Sequence, residues 1–133
     1  MDDPIRILLA KPTHDAHDRG VRHLARRMRD AGFEVIFVTF LLAEELVQIA
    51  IEEDVDVIGI SSSSHGHMPV FEDLFAGLRA HDIDDILVIA GGVIGAADRE
   101  VLEEWGLAAM FGPGSSAGDA IEFVREHVHS ALG

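Results

Sequence analysis

Short apolar runs alternate along this chain with stretches whose apolar side chains recur every three or four positions, and the alternation repeats five times. Ile5 to Ala10, Glu34 to Thr39, Val55 to Ile60, Ile86 to Ala90 and Ala108 to Phe111 read as strands. Val21, Leu24, Ala25 and Met28 follow the i, i+3, i+4, i+7 spacing of one helical face, with Gly32 as the stop. Leu42, Leu46, Ile49 and Ala50 predict the apolar face of a second helix, and Glu44, Glu45, Glu52 and Glu53 its outer side. Pro69 suits the first turn of a third, whose core side is Val70, Phe71, Leu74, Phe75 and Leu78. A fourth runs from about Ala97 to Trp105 and stops at Gly106; Ile121, Val124 and Val128 line a fifth.

The strand runs are apolar at nearly every position rather than at every second one. Such strands are buried on both faces, as in a parallel sheet covered by helices on either side. Right-handed crossovers then predict an α/β, flavodoxin-like (Rossmann-like) doubly wound sheet of five strands in the order 2-1-3-4-5. No linker, repeat or low-complexity stretch interrupts the pattern, so residues 1–133 read as a single domain.

Composition narrows the classes. A 48% hydrophobic content belongs to a folded chain, and no apolar run reaches the ~20 residues of a membrane span. The start, Met1-Asp2-Asp3-Pro4, is acidic and leads at once into a strand, which reads as the absence of a signal peptide and makes cytoplasmic the expected location. There is no cysteine, hence no disulfide, thiolate metal site or thiol nucleophile. A net charge of −14 argues against nucleic acid or an anionic membrane as partner. Lys11 is the only lysine; a salt-rich cytoplasm and an arginine-biased genome account for that equally well.

In this fold, ligands bind at the loops after the strands. After the first strand comes Lys11-Pro12-Thr13-His14-Asp15-Ala16-His17-Asp18-Arg19-Gly20, with two histidines, two aspartates and a closing glycine. After the third comes Ser61-Ser62-Ser63-Ser64-His65-Gly66-His67, after the fourth Gly91-Gly92, and after the fifth Gly112-Pro113-Gly114. Small residues at successive strand ends leave a slot because no Cβ fills it. Serines hold the place where a response-regulator receiver needs its phosphoacceptor aspartate. Only Thr13 offers a hydroxyl where a flavodoxin needs a phosphate loop.

The spacing Asp15-x-His17-x-x-Gly20 resembles the signature of cobalamin-binding domains of acyl-CoA mutases, glutamate mutase and methionine synthase. Ile7 to Lys11, Asp15 to Val21, Ala31-Gly32, Glu53 to Asp56, Gly92-Val93-Ile94 and Phe111 to Gly114 extend the resemblance to the methylmalonyl-CoA mutase family over essentially the whole chain. It implies His17 as the lower axial ligand to cobalt, with Asp15 accepting from its second ring nitrogen. It implies a cofactor site of Asp15, His17, Asp18, Arg19 and Gly20, with the displaced nucleotide tail beside Ser61, Ser62, Gly91, Gly92, Gly112 and Gly114. The cofactor implied is adenosylcobalamin. The function implied is that of a small subunit of an acyl-CoA mutase (isomerase class) of methylmalonyl-CoA or 2-hydroxyisobutyryl-CoA type. It would act in a hetero-oligomer with a large TIM-barrel subunit that binds the acyl-CoA; no residue of this chain alone is catalytic.

Three positions depart from the family pattern. Ser63 stands for the leucine of its Ser-x-Leu motif, and Thr13-His14 for its Gly-Leu. Phe40-Leu41-Leu42-Ala43 lacks its Thr-Pro helix start. Two other readings stand beside the mutase: a corrinoid carrier for a methyltransferase, which usually has a helical cap ahead of the first strand, and a zinc-binding domain using His14-x-x-His17 and His65-x-His67 with Asp15 and Asp18. The arginine side of the first helix reads as a solvated surface or a docking site for an acidic partner, and Trp105 as helix-end packing.

Overall fold

Each apolar run forms a strand, and each amphipathic stretch a helix that crosses back over the sheet. Strands β1 (Arg6–Pro12), β2 (Glu34–Phe40), β3 (Val57–Ser62), β4 (Leu87–Gly92) and β5 (Ala109–Phe111) alternate with helices α1 (Arg19–Asp30), α2 (Ala43–Glu53), α3 (His67–Ala80), α4 (Ala96–Trp105) and α5 (Ala117–Leu132). This computed structural model describes residues 4–12, 19–62, 67–92, 94–112 and 115–132. All pairings are parallel and the order is β2-β1-β3-β4-β5, the flavodoxin-like order the pattern predicts.

Alternation along the strands divides the core between the two faces. Leu8, Ile58, Ile60, Val88 and Ala90 pack against Leu46, Val47 and Ala50 of α2, Phe71, Leu74 and Leu78 of α3 and Leu102 of α4. On the other face Ile7, Leu9, Val57 and Ile89 meet Val21, Ala25 and Met28 of α1 and Ala120, Ile121, Val124 and Val128 of α5. The guanidinium of Arg125 on α5 donates to the Ala31 carbonyl at 2.8 Å and lies 5.6 Å from the Phe33 ring centroid, tying α5 to the end of α1. Trp105 is half-buried against the α2–α4 side, as expected of a helix end.

Two expectations change. Strands β1, β3 and β4 run two residues further than their apolar cores, because Lys11 pairs with Thr39, Pro12 with Phe40, Ser61 with Gly91 and Ser62 with Gly92. Ladder bonds need only backbone groups, so polar or small side chains do not end a strand. Leu42 does not belong to the apolar face of α2. It is the N-cap residue, 64% exposed, while Ala43, Leu46, Val47 and Ala50 are the buried positions. With no side-chain oxygen at Leu42, the Glu45 carboxylate turns back and accepts from the Leu41 and Leu42 amides at 3.0 and 3.4 Å. That supplies half of a capping box.

Burial of Leu74 and exposure of Leu42 separate two leucine truncations. Leu74→Ala should lower the unfolding free energy by about 2–5 kcal/mol, whereas Leu42→Ala should stay within about 0.5 kcal/mol of wild type. Equilibrium urea unfolding measures both.

Candidate functional site

A glycine in the middle of a buried strand shapes the site. Leu9, Gly59 and Ile89 stand in register across β1, β3 and β4 on the α1/α5 face. A Cβ at Gly59 would lie 2.8 Å from Leu9 Cδ2 and 3.4 Å from Ile89 Cγ1. The missing side chain lets Leu9 lie across β3 and lowers the floor there. Above this floor, toward the carboxyl ends of the strands, opens a cavity of about 390 Å³, within the ~300–1,000 Å³ range of small-molecule clefts.

Its walls come from four strands and two helix starts. Ser61, Gly91 and Gly92 extend the floor to the rim, and Phe111 of β5 closes one side. Gly20, Val21, His23 and Leu24 form the α1 wall; Ser115, Ser116, Ala117 and Ala120 form the α5 wall. The α5 wall is fixed by reciprocal capping: the Asp119 amide donates to Ser116 Oγ at 3.2 Å and the Ser116 amide to Asp119 Oδ2 at 2.9 Å. A Cβ at Gly91 would make only ordinary contact, 3.5 Å from the Phe111 carbonyl. Gly92 has φ +114, a conformation that favours glycine. The lining is mainly apolar, with hydroxyls at Ser61, Ser115 and Ser116. Such a slot suits a flat, largely apolar group carrying a few polar atoms.

Of the residues expected at the site, the structure brings Gly20, Ser61, Gly91 and Gly92 together around this slot. Gly112 follows β5, where a Cβ would approach the Gly92 carbonyl to 3.4 Å. Arg19 opens α1 and is exposed. Ser62 ends β3 in register with Gly92. Asp15, His17, Asp18 and Gly114 lie outside the described residues, as do His14 and His65 of the zinc reading and Ser63, which departs from the family motif.

Sequence reasoning passed over Gly59, Phe111, Ser115, Ser116 and the α5 alanines. A lone glycine inside an apolar strand was the available signal for Gly59. His23 of α1 is exposed and also lines the slot. Lys11, next to the end of β1, is 6% exposed and the one buried charged side chain among the described residues. It makes polar or electrostatic interactions there, as a buried ammonium must.

These features define a ligand-binding doubly wound domain with its slot at the carboxyl rim. Residues 5–122 match the B12 binding domain model, and the chain belongs to that family. It is 45% identical over 105 residues to the 2-hydroxyisobutanoyl-CoA mutase small subunit of Aquincola tertiaricarbonis, covering 78% of this chain and 77% of that one. It is 39% identical over 127 residues to methylmalonyl-CoA mutase of Escherichia coli, covering 92% of this chain but 18% of that protein. The chain thus spans under a fifth of that mutase. Among solved structures, a cobalamin-binding protein from Desulfitobacterium hafniense superposes with a TM-score of 0.77 at 22% identity, over 92% of this chain and 58% of that one, a likeness of fold.

The two glycines respond differently to substitution. Gly59→Ala should destabilise the fold by about 1–3 kcal/mol, since Leu9 must shift in a packed core. Gly91→Leu extends into the open slot and should cost less than about 1 kcal/mol by the same reasoning. Urea unfolding of the two variants side by side checks the order.

Proposed function

We propose that this chain is the cobalamin-binding small subunit of an adenosylcobalamin-dependent acyl-CoA mutase of the methylmalonyl-CoA or 2-hydroxyisobutyryl-CoA type. One observation carries the reading: a chain of the B12-binding family has an apolar, glycine-floored slot beside the start of α1, directly after the Asp15–Gly20 motif. The match to a small subunit over most of its length supports the role of a separate subunit.

The residues present fit the cofactor. Gly91 and Gly92 leave open the space where side chains would block a nucleotide tail, Gly59 lets Leu9 sink into the floor beneath it, and Ser61, Ser115 and Ser116 offer it hydroxyls. His17 would hold the cobalt from below, with Asp15 fixing the ring tautomer and raising its basicity. Asp18, Arg19 and Gly20 carry the loop into α1, and Ser62, Gly112 and Gly114 border the tail. When bound, adenosylcobalamin supplies a cobalt–carbon bond whose homolysis starts the radical rearrangement. The chain's own part is to bind and orient the corrin, keeping its upper face toward the acyl-CoA site of a large TIM-barrel partner in the cytoplasm. Residues 1–133 would act as one domain in that hetero-oligomer.

Visible spectroscopy with adenosylcobalamin tests this directly. Wild type should bind the corrin base-off with histidine on, and His17→Ala should lose that spectrum. Asp15→Ala should weaken binding by about 10- to 100-fold. Gly91→Leu should block the slot and abolish tight binding in a protein that remains folded. An unchanged spectrum in His17→Ala would sink the axial-ligand assignment. Mutase activity on mixing with the large chain separates the subunit reading from a methyltransferase carrier.

A further inference from the structure

Among the described residues that line the slot, His23 is the one side chain able to carry a charge; the others are apolar, glycine or serine. It lies near the start of α1 and is exposed. It therefore stands at the wet margin of the slot, whereas Leu9, Ile60, Ile89 and Ala90 make a buried floor.

The imidazole makes no hydrogen bond, ion pair or ring contact among the described residues. Its neighbours one turn away on the helix, Arg19, Arg26 and Arg27, are cations and offer it no acceptor. On the facing wall, the Asp119 carboxylate accepts from the Ser116 amide. An imidazole keeps at least one ring N–H in either protonation state. The α1 wall thus holds a side-chain donor that the fold itself does not use.

The chemistry of a nucleotide tail has three parts: a flat apolar base, a ribose with hydroxyls, and a phosphodiester with one negative charge. The apolar floor suits the base, and Ser61, Ser115 and Ser116 suit the hydroxyls. The negative charge is the demanding part, because a chain of net −14 repels an anion unless donors or positive charge lie where it is held. No lysine or arginine lines the slot among the described residues. His23 is left as the side chain that can meet the anion, with the amino ends of α1 and α5 favouring negative charge beside it.

We propose that His23 holds the phosphodiester of the cofactor's nucleotide tail, donating a ring N–H to a phosphate oxygen at the α1 margin of the slot while the base lies on the floor. This rests on the cobalamin reading above and assigns a binding residue for that same site. His23 follows Gly20 by one helical turn, so one continuous segment would carry both the Asp15–Gly20 motif and the tail's anchor.

Three adenosyl corrinoids that differ in the tail separate its parts. Adenosylcobinamide has neither phosphate nor base, adenosylcobinamide phosphate has the phosphate alone, and adenosylcobalamin has both. Equilibrium dialysis of the full chain, read by corrin absorbance, gives a Kd for each. Wild type should bind the phosphate-bearing corrinoid more tightly than adenosylcobinamide. His23→Leu should raise Kd about tenfold for adenosylcobalamin and adenosylcobinamide phosphate, and leave adenosylcobinamide within about threefold. Arg26→Gln, which removes a charge from the same helix outside the slot lining, should stay within about threefold for all three. The urea midpoints of both variants should match wild type, as exposed positions allow.

His23→Leu binding adenosylcobalamin as wild type does overturns the assignment and leaves the cobalamin reading intact. A loss shared by adenosylcobinamide overturns it as well, since the side chain then acts without the tail. A loss matched by Arg26→Gln reassigns the effect to the field of the helix, and one confined to adenosylcobalamin moves the contact to ribose or base; either overturns it. So does a wild type that gains nothing from the phosphate. Wild type that takes up no adenosylcobalamin overturns the cobalamin reading and this assignment together.

Discussion

The depth of the slot depends on one steric relation: Leu9 occupies the space that a side chain at Gly59 would fill, with Ile89 in register on the far side. Below this row, Ile7, Val57 and Met28 make an ordinary close-packed core. Above it, Ser61 and Gly91 continue the ladder while filling little volume. The pairing therefore runs on after the side chains have thinned out. A parallel sheet held together by backbone bonds can afford that, because its ladder needs nothing from the side chains at the rim. The helices then stand apart at their amino ends, with Gly20 on one wall and Ala117 and Ala120 on the other.

Fold and chemistry separate cleanly here. The strand order is shared by receivers and flavodoxins, and it only says that ligands approach the carboxyl rim. Residue types at that rim decide among them. Serines at the end of β3 leave no phosphoacceptor there, and the small residues of β3 and β4 leave room for an inserted group. Membership of the B12-binding family agrees with that choice.

The distribution of charge adds a second axis. The slot lies between α1 and α5, whereas Arg22, Arg26, Arg27 and Arg29 of α1 are exposed and are not among its lining residues. One helix can thus close a ligand site with one side and present a cationic surface with the other, because its two faces follow the same 3.6-residue period. Leu41 and Leu42, between β2 and α2, stay exposed, since α2 buries Ala43, Leu46 and Val47 in their stead.

Most of the architecture was legible in the residues. Apolar runs without alternation indicate a parallel sheet, helical stripes place the crossovers, and Gly32 and Gly106, both at positive φ, end their helices where expected. The serine and glycine clusters likewise point to the rim. What the sequence could not decide are features that exist only between elements. Leu42 fits the helical period of α2 but falls at its cap, because periodicity does not say where the first turn begins. Gly59 looks like a weak point in a strand until Leu9, fifty residues earlier in the chain, is seen lying across it. Ser115, Ser116 and Phe111 reach the slot only because β5 pairs with β4 and carries α5 back beside α1. Local patterning determines which elements form; contacts between residues far apart in the chain determine which of their side chains share a cavity.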